Sequence, residues 1–365
     1  MKKTKLVKIG LYNPFLDTLG GGEKHIFLII NGLCEIFSEK KINVKVIFFW
    51  QKNILKKILE RFDFSFIKNI EFFTPLNQLS TIETLKVLKQ FDYFFYVTDG
   101  SYFFSTAKKN YIFSMIPDKK LYQMNFLNKL KLLNYQFISN SRYTSFWLNQ
   151  WKIKNIVIEP YIEEKFYYQN EKKEKIILSV GRFFPHLHSK NQQKIINTFL
   201  NLKKTNKLFS SYQLVLAGGL KDEDKNYFKS LKKIVKNDQS IIFLPNIKTN
   251  KLINLYKKSK YFWHFTGLGV NENKNPEMVE HFGIASLEAM VAGCLTFCHN
   301  SGGPKIILKN KFSEFLFNNE DDLIKKMIFI EKNLSLQNKL KNKAILMVKN
   351  NFNYKNFKNK INLIL

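Results

Sequence analysis

The sequence predicts two α/β domains, each built on a doubly wound parallel sheet with helices on both faces. Its 365 residues are too many for one ordinary domain and fit two. Short, nearly continuous apolar runs alternate with longer segments of helical spacing, which is typical of parallel strands that are buried on both faces. Glycine follows the first strand of each half, at the sheet edge where such folds bind ligands.

The first domain is expected to cover residues 1–165. The loop after its first strand ends in Gly20, Gly21, Gly22 and Glu23, and a helical pattern follows over residues 25–37. Glycine lets the backbone approach a ligand, and a helix N-terminus can meet a phosphate, although a run of three glycines is often only a turn. The spacing fits neither a dinucleotide fingerprint nor a P-loop. The predicted strands of this domain are residues 5–11, 44–50, 91–98, 111–116, 135–139 and 156–158.

Two polar loops follow strands of the first domain, at residues 98–101 and 139–142. Both lie at strand ends, where ligands usually bind in parallel sheets. Asp99 in the first loop, with Ser101 beside it, could orient the hydroxyl of a second substrate. It could equally cap the next helix. The sequence leaves these two roles of Asp99 open.

A polar stretch at residues 159–175, rich in charge and without a clean period, is expected to link the two domains. The second domain is expected over residues 166–340, and a C-terminal helical segment over residues 341–365. Whether that segment crosses back onto the first domain is left open. The predicted strands of the second domain are residues 176–180, 214–217, 241–244, 261–265 and 295–298.

The most informative pattern lies in residues 263–305, where Glu280 and Glu288 stand eight residues apart in the run EHFGIASLEAM. Residues 284–292 have the apolar spacing of a short helix, so Glu288 lies about one turn inside it. Glu280 lies just before the helix, in a turn that contains Phe282 and Gly283. The backbone N–H groups of that turn, with the positive end of the helix dipole behind them, suit an anion.

A carboxylate has two acceptor oxygens and a vicinal diol has two donors. Glu288 is therefore a candidate for holding a ribose, and Glu280 for holding a second sugar beyond the phosphates. That combination describes a nucleotide sugar. The plainer interpretation is that both glutamates are solvated residues at a helix end, but the specificity of the whole run, with SGGP at residues 301–304 downstream, favours the nucleotide sugar.

This run, together with the glycine loop at residues 20–23, resembles the retaining glycosyltransferases of family 4. The resemblance implies the GT-B fold, in which two Rossmann-like domains face each other across a cleft. It also implies that a sugar moves, with retained configuration, from a nucleoside diphosphate to a hydroxyl of a glycan or lipid-linked glycan. UDP- and GDP-sugars both remain open as donors. A GT-B nucleotide-sugar epimerase and a non-catalytic nucleotide or glycan binder are the alternative functions.

The resemblance also assigns roles to residues. Glu280 is implied to contact the transferred sugar, while Arg182 and Lys190 contact the diphosphate and stabilise the charge of the leaving group. These three are the implied catalytic residues. Asp99 and Ser101 are the candidates for binding the acceptor. The implied donor-binding residues are Gly21, Gly22, Arg182, Lys190, Asn246, His264, Glu280, Phe282, Gly283, Ile284 and Glu288.

The chain departs from the family pattern in its first domain. Many relatives carry a histidine there near the reacting sugar, whereas this sequence has none between His25 and His186. The corresponding strand reads FSMIP at residues 113–117. No protein nucleophile is evident, and for the family the donor phosphate is thought to take the acceptor proton.

No metal or other cofactor is expected, which agrees with the general behaviour of family 4. His186 and His188 lie in one loop without a third ligand nearby, so they are interpreted as exposed loop residues. The acidic run at residues 222–224 lacks a preceding apolar strand. Its acidic residues are better explained by the preference of a first helical turn for negative charge.

The formal net charge of +30 would suit a nucleic acid or an anionic membrane. The lysines are scattered and no nucleic-acid motif is present, so only peripheral contact with an anionic membrane is left open. No apolar run approaches 18 residues, and Cys34, Cys294 and Cys298 lack metal spacing. The expected location is therefore the cytoplasm, with attachment at the inner face of a membrane left open.

Overall fold

The computed structural model describes residues 5–186, 189–236 and 238–365, which form two compact units. The first unit contains Met1–Pro160 together with Phe357–Leu365, and the second contains Tyr161–Asn356. The sequence placed the boundary between residues 165 and 166. The structural boundary falls earlier, between Pro160 and Tyr161, because Ile162 already packs into the core of the second unit.

The first unit is organised around a parallel sheet of seven strands in the order β3-β2-β1-β4-β5-β6-β7. The order reverses between β1 and β4, as in a doubly wound fold. Five helices of this unit connect the strands: α1 (Gly21–Glu39), α2 (Leu55–Arg61), α3 (Thr81–Leu88), α4 (Phe126–Lys131) and α5 (Arg142–Gln150). The strands are β1 (Leu6–Tyr12), β2 (Asn43–Phe49), β3 (Glu71–Phe73), β4 (Tyr93–Val97), β5 (Lys109–Ser114), β6 (Tyr135–Ser139) and β7 (Asn155–Val157).

The second unit contains six parallel strands in the order β10-β9-β8-β11-β12-β13, which reverses between β8 and β11. Its strands are β8 (Glu174–Val180), β9 (Gln213–Gly218), β10 (Ile241–Pro245), β11 (Ser259–His264), β12 (Leu295–His299) and β13 (Leu316–Phe317). Its helices are α6 (Gln192–Thr205), α7 (Lys225–Val235), α8 (Thr249–Lys258), α9 (Ile284–Val291), α10 (Gly302–Leu308), α11 (Glu320–Glu331) and α12 (Leu334–Asn351). The predicted pair of doubly wound parallel sheets is confirmed.

Two edge strands escaped the sequence analysis. β3 has three residues and β13 has two. Their place is decided by pairing with β2 and β12, which lie next to them in the sheets.

The first helix begins earlier than predicted. The expected loop included Gly21 and Gly22, but α1 starts at Gly21. Glu23 explains the difference, because its carboxylate accepts the backbone N–H of Gly20 at 2.8 Å and so satisfies a donor at the helix start. The same buried carboxylate lies 3.4 Å from the side-chain amide of Asn13, which fixes the loop that follows β1.

The end of the chain packs within the first unit. The last helix, α13, runs over Tyr354–Ile361, and the first unit includes its residues from Phe357 onward. Lys360 pairs with the buried carboxylate of Glu159 at 2.8 Å. Tyr111 donates its hydroxyl to the carbonyl of Ile364 at 2.8 Å. These contacts bind the final residues to β5 and to the strand-end loop after β7.

Within the described residues, all three cysteines are free thiols, and Cys294 and Cys298 are buried. Burial raises the pKa of Cys298 to about 12, so its thiol stays protonated at neutral pH. None of the helices in the described residues combines the length and apolarity needed to cross a bilayer.

His25 on α1 gives the first unit a measurable pH dependence. Burial lowers the pKa of this imidazole from 6.5 to about 3. The hydrogen bond to the carbonyl of Ile158 opposes this shift, whereas the positive charge of Lys360 adds to it. The unfolded chain therefore binds one more proton than the folded chain between these two values. Stability should fall as the pH is lowered through this window, by about 1.4 kcal/mol per pH unit.

The measurement is the free energy of unfolding in urea at several pH values within that window. Gln at position 25 can still donate to the carbonyl of Ile158 but does not titrate. We expect His25→Gln to show a shallower loss of stability than the wild type. Equal slopes in the two proteins would contradict a neutral, buried His25.

Candidate active site

Three side chains converge at the point where the strand order of the second sheet reverses. Lys190 lies between β8 and α6, His264 ends β11, and Glu280 precedes α9. The Lys190 ammonium is 2.6 Å from Oε2 of Glu280, and Nε2 of His264 is 3.0 Å from the same oxygen. Lys190 and Glu280 each keep only 18% of the side chain exposed, and His264 keeps 3%. The structure therefore joins three of the predicted donor-site residues directly.

Within the cluster, Glu280 carries a fixed negative charge. Burial alone would raise the pKa of the Glu280 carboxyl, but the charge of Lys190 and the hydrogen bond from His264 outweigh burial and hold that pKa well below its usual value. Burial lowers the pKa of His264 despite the nearby carboxylate. A neutral imidazole therefore donates its Nε2–H to an ionised Glu280.

A glycine allows Lys190 to reach Glu280. A Cβ atom at Gly181 would lie 2.4 Å from Cγ of Lys190, so the lysine stem passes directly over this backbone. Asn191, in a left-handed conformation with φ of 53°, starts α6 and donates its side-chain amide to the carbonyl of Phe265 at 2.9 Å. The turn after β8 is thereby tied to the end of β11, which places the ammonium beside Glu280.

The two glycines of the SGGP motif support Glu280 from the other side. A Cβ at Gly302 would lie 2.1 Å from the carbonyl oxygen of Glu280, and one at Gly303 would lie 2.4 Å from that of His281. Gly303 also donates its N–H to the Glu280 carbonyl at 2.7 Å. The first turn of α10 can thus lie against the Glu280 backbone only because both residues lack a side chain.

A second ion pair, between Glu272 and Lys305, was not predicted from the sequence. Glu272 comes from the loop between β11 and α9, and its carboxylate also accepts the N–H of Gly302 at 2.8 Å. This contact fastens the loop to the start of α10. No motif marks Glu272, because its partner lies 33 residues away in sequence.

Glu288 lies on α9 as predicted, and its side chain is buried. It is close to Tyr256 of α8, whose phenol is fully enclosed. Burial and the neighbouring Glu288 carboxylate raise the pKa of Tyr256 well above its usual value. Glu288 is therefore held between two helices, and its predicted role at a ribose stays a prediction.

The remaining donor-site candidates of the second unit are engaged in different ways. The guanidinium carbon of Arg182 lies 3.8 Å from the ring centre of Phe184. The side chain of Asn246 both accepts from and donates to the backbone of Leu220, and its backbone N–H donates to the carbonyl of Gly218 at 2.7 Å. Phe282 buries its ring against Phe352 and can offer a ligand only backbone groups.

The predicted helix begins at Ile284, directly after a turn at Gly283. Gly283 adopts φ of 92°, a left-handed value that glycine adopts without strain. A Cβ at Gly283 would be 3.6 Å from Cγ of Glu280, so the turn lies close to that side chain. Gly293, beyond the other end of α9, has φ of 81°, a left-handed value that is common where a helix ends.

In the first unit, Gly22 has a packing role. A Cβ there would lie 2.2 Å from the sulfur of Met115, so the thioether occupies the space beside the start of α1. Met115 belongs to the FSMIP segment in which the family histidine is missing. Gly21 begins α1 beside it.

Of the two roles left open for Asp99, the structure excludes capping of the next helix, because the next regular element is the strand β5. Its carboxylate instead accepts the hydroxyl of Tyr96 and the N–H of Ser101 at 2.9 Å. Tyr96 thus holds the loop after β4 in place. The role of Asp99 and Ser101 toward an acceptor stays a prediction.

Among the described residues, no group of three His, Cys, Asp or Glu side chains is placed to hold a metal ion. His186 is exposed, whereas His188 lies outside the described residues. Asp222, Glu223 and Asp224 form the short helical turn that leads into α7, as the sequence analysis favoured.

Comparison with protein families finds one that matches this site. The family model described as "Glycosyl transferases group 1" matches residues 161–347, about half of the chain. These residues include Arg182, Lys190, His264, Glu280 and Glu288.

Two relatives carry the name GDP-Man:Man(3)GlcNAc(2)-PP-Dol alpha-1,2-mannosyltransferase. The protein from Mus musculus is 32% identical over 135 residues, which are 36% of this chain and 25% of that protein. The protein from Homo sapiens is 27% identical over 229 residues, which are 54% of this chain and 44% of that protein. This chain therefore matches less than half the length of either relative.

A solved structure of HepE from Anabaena, in complex with UDP, superposes with a TM-score of 0.71 at 13% identity. The match covers 98% of both chains. At this identity the likeness shows the fold alone, which is the GT-B fold predicted for the chain.

Gly303 provides a test of the packing that supports Glu280. In Gly303→Ala, the new methyl group must move the backbone of residues 281 and 282. We expect a loss of roughly 1–3 kcal/mol in the free energy of unfolding. The matched control is Gly219→Ala, because a Cβ at Gly219 meets no atom closer than 3.9 Å. An unchanged urea midpoint for Gly303→Ala would contradict the close contact.

Proposed function

The chain belongs to the glycosyl transferases group 1 family, and from this premise we propose that it transfers a hexose from a UDP- or GDP-sugar to a hydroxyl of a glycan or lipid-linked glycan, with retained configuration and without a metal ion. The observation that carries the proposal is the contact of Lys190 and His264 with Glu280 at the reversal point of the second sheet. A parallel sheet binds its ligand at such a point.

The cluster suits the chemistry of a nucleotide sugar. Lys190 offers a cation to a diphosphate, and Arg182 follows the same strand. The ionised carboxylate of Glu280 can accept hydroxyl groups of the transferred sugar and stabilise positive charge as the glycosidic bond breaks. We assign catalysis to these three residues, and donor binding also to Glu288 and to the turn at Gly283.

The proposed acceptor follows from the relatives. Their name includes Man(3)GlcNAc(2)-PP-Dol, a lipid-linked oligosaccharide, which supports a lipid-linked glycan as acceptor here. The donor base is left as UDP or GDP, since the HepE structure contains UDP and the relatives' name contains GDP-Man. A cytoplasmic location is part of the same proposal.

The test is incubation of the purified chain with a panel of UDP- and GDP-hexoses and a lipid-linked glycan extract, with and without excess EDTA. We expect one donor to be consumed, product with retained anomeric configuration, and equal rates in both conditions. An epimerised donor without transfer would support the epimerase. Failure to consume any donor would contradict the transferase, and loss with EDTA restored by Mg²⁺ or Mn²⁺ would contradict metal independence.

Glu280→Gln separates chemistry from binding. Gln keeps the size of the side chain but removes the charge that should stabilise the transition state, so we expect turnover to fall by about 100-fold or more. Affinity for the free nucleoside diphosphate should change far less. Because Gln also deprives Lys190 of its partner, the free energy of unfolding should fall by about 1–3 kcal/mol whatever the catalytic role.

Turnover is therefore the deciding measurement, and Glu272→Gln is its control. Glu272 is equally enclosed, at 19% exposure against 18%, and also pairs with one lysine. The control should lose stability but keep turnover within a few-fold of the wild type. Equal loss of turnover in both variants would show that Glu280 acts only through stability.

A further inference from the structure

Helix α4 in the first unit presents its apolar residues to solvent. Phe126 is 78% exposed, Leu127 54%, Leu130 38% and Leu133, just beyond the helix, 80%. We call these four residues the apolar stripe. Surface helices normally turn such residues toward the core, yet none of the six residues of α4, all of which the structure describes, is buried.

The stripe is centred on one face of the helix. Phe126 and Leu130 lie four residues apart on α4, which places them on the same face, and Leu127 and Leu133 add exposed apolar area beside them. A row of large apolar side chains in water is unfavourable for an isolated chain. The arrangement indicates that another molecule covers these side chains in the functional state of the protein.

The stripe is held in a fixed position. Before the helix, the buried Tyr122 donates its hydroxyl to the carbonyl of Ile116 at 2.9 Å and packs against Trp151. After it, Leu132 is buried among the aromatic residues of the same core. The side chain of Asn125 accepts the N–H of Asn128 at 2.9 Å and so caps the helix start. The short helix is thus fastened at both ends and presented outward.

The charge around the stripe has one sign. Residues 119–134 contain four lysines and no acidic residue. Lys119, Lys120 and Lys129 are exposed, and Lys131 is half-buried. Asp118, which precedes the segment, uses its carboxylate to accept the N–H of Lys120 at 2.9 Å. Apolar side chains interleaved with exposed lysines suit a partner that has an apolar interior beneath a negatively charged outer layer.

We propose that the apolar stripe of α4 inserts into the headgroup region of an anionic lipid bilayer, with Lys119, Lys120 and Lys129 contacting lipid phosphates. Shallow helices of this kind gain binding from buried apolar area and from attraction to anionic lipids together. A protein partner fits the surface less well, since each side of a stable complex contributes roughly 20–30 residues. The proposal does not depend on the transfer chemistry.

The experiment is flotation of the full chain with vesicles of phosphatidylcholine alone or mixed with phosphatidylglycerol, without any nucleotide sugar. We expect binding to the mixed vesicles only, and weaker binding as salt is raised. Phe126→Gln/Leu130→Gln should weaken it at least tenfold. Lys119→Gln/Lys120→Gln should weaken it by a similar factor, since each lysine near an anionic surface contributes about fivefold.

The matched control is Ile82→Gln, because Ile82 is 67% exposed on α3 of the same unit but lies outside the stripe. It should bind vesicles within twofold of the wild type. All variants change exposed side chains, so their melting temperatures should match the wild type and exclude misfolding as the cause.

Three results would overturn the proposal. Full binding by Phe126→Gln/Leu130→Gln would show adsorption by charge alone, and equal loss in Ile82→Gln would show a general effect of apolar exposure. Failure of the wild type to bind vesicles, with a dimer that Phe126→Gln/Leu130→Gln abolishes, would assign the stripe to a second copy of the chain. None of these results bears on donor consumption in solution, so the proposed function is tested separately.

Discussion

The second unit depends on one ion pair, between Lys190 and Glu280, which lie 90 residues apart in sequence. Enclosing two charges is costly unless each finds partners, and here each charge is the partner of the other while His264 donates to the same carboxylate oxygen. The pair connects the turn after β8 with the loop before α9. Loss of either charge would leave the other enclosed and unmatched.

Several glycines follow from this constraint. Gly181 lacks a side chain because the stem of Lys190 lies over it, and Gly302 and Gly303 lack one because α10 lies against the backbone of Glu280. The loop that bears Glu272 is fastened at the same helix start. Segments that are far apart in the sequence therefore form one packed arrangement around a carboxylate.

The ion pair also bears on the proposed reaction. A diphosphate bound at Lys190 would compete with Glu280 for the ammonium, so arrival of the donor would free the carboxylate to accept sugar hydroxyls. The protein would then exchange an internal ion pair for two contacts with substrate. In the first unit, the thioether of Met115 packs beside Gly22 at the start of α1, and the exposed apolar residues of α4 form the proposed lipid-binding surface.

The sequence by itself determined the fold class and, among the residues that the structure describes, eleven of the thirteen strands. It also placed Glu288 on a short helix and Glu280 just before it. It could do so because parallel strands buried on both faces form unbroken apolar runs, and because the EHFGIASLEAM run places its residues by local helix geometry. The two missed strands, β3 and β13, lie at sheet edges, where pairing with one neighbour defines them.

Only the tertiary structure decided which side chains touch. Three contacts illustrate this. Glu280 and Lys190 lie 90 residues apart in sequence, Glu272 and Lys305 lie 33 apart, and Asp99 and Tyr96 lie three apart. No local sequence pattern predicts any of these contacts. The exposure of the apolar residues of α4 could not be predicted from the sequence either. Apolar residues on one face of a helix normally predict burial, and only the contacts on both sides of α4 keep this face exposed. Local periodicity specifies elements, whereas contacts between elements depend on how the whole sheet brings their ends together.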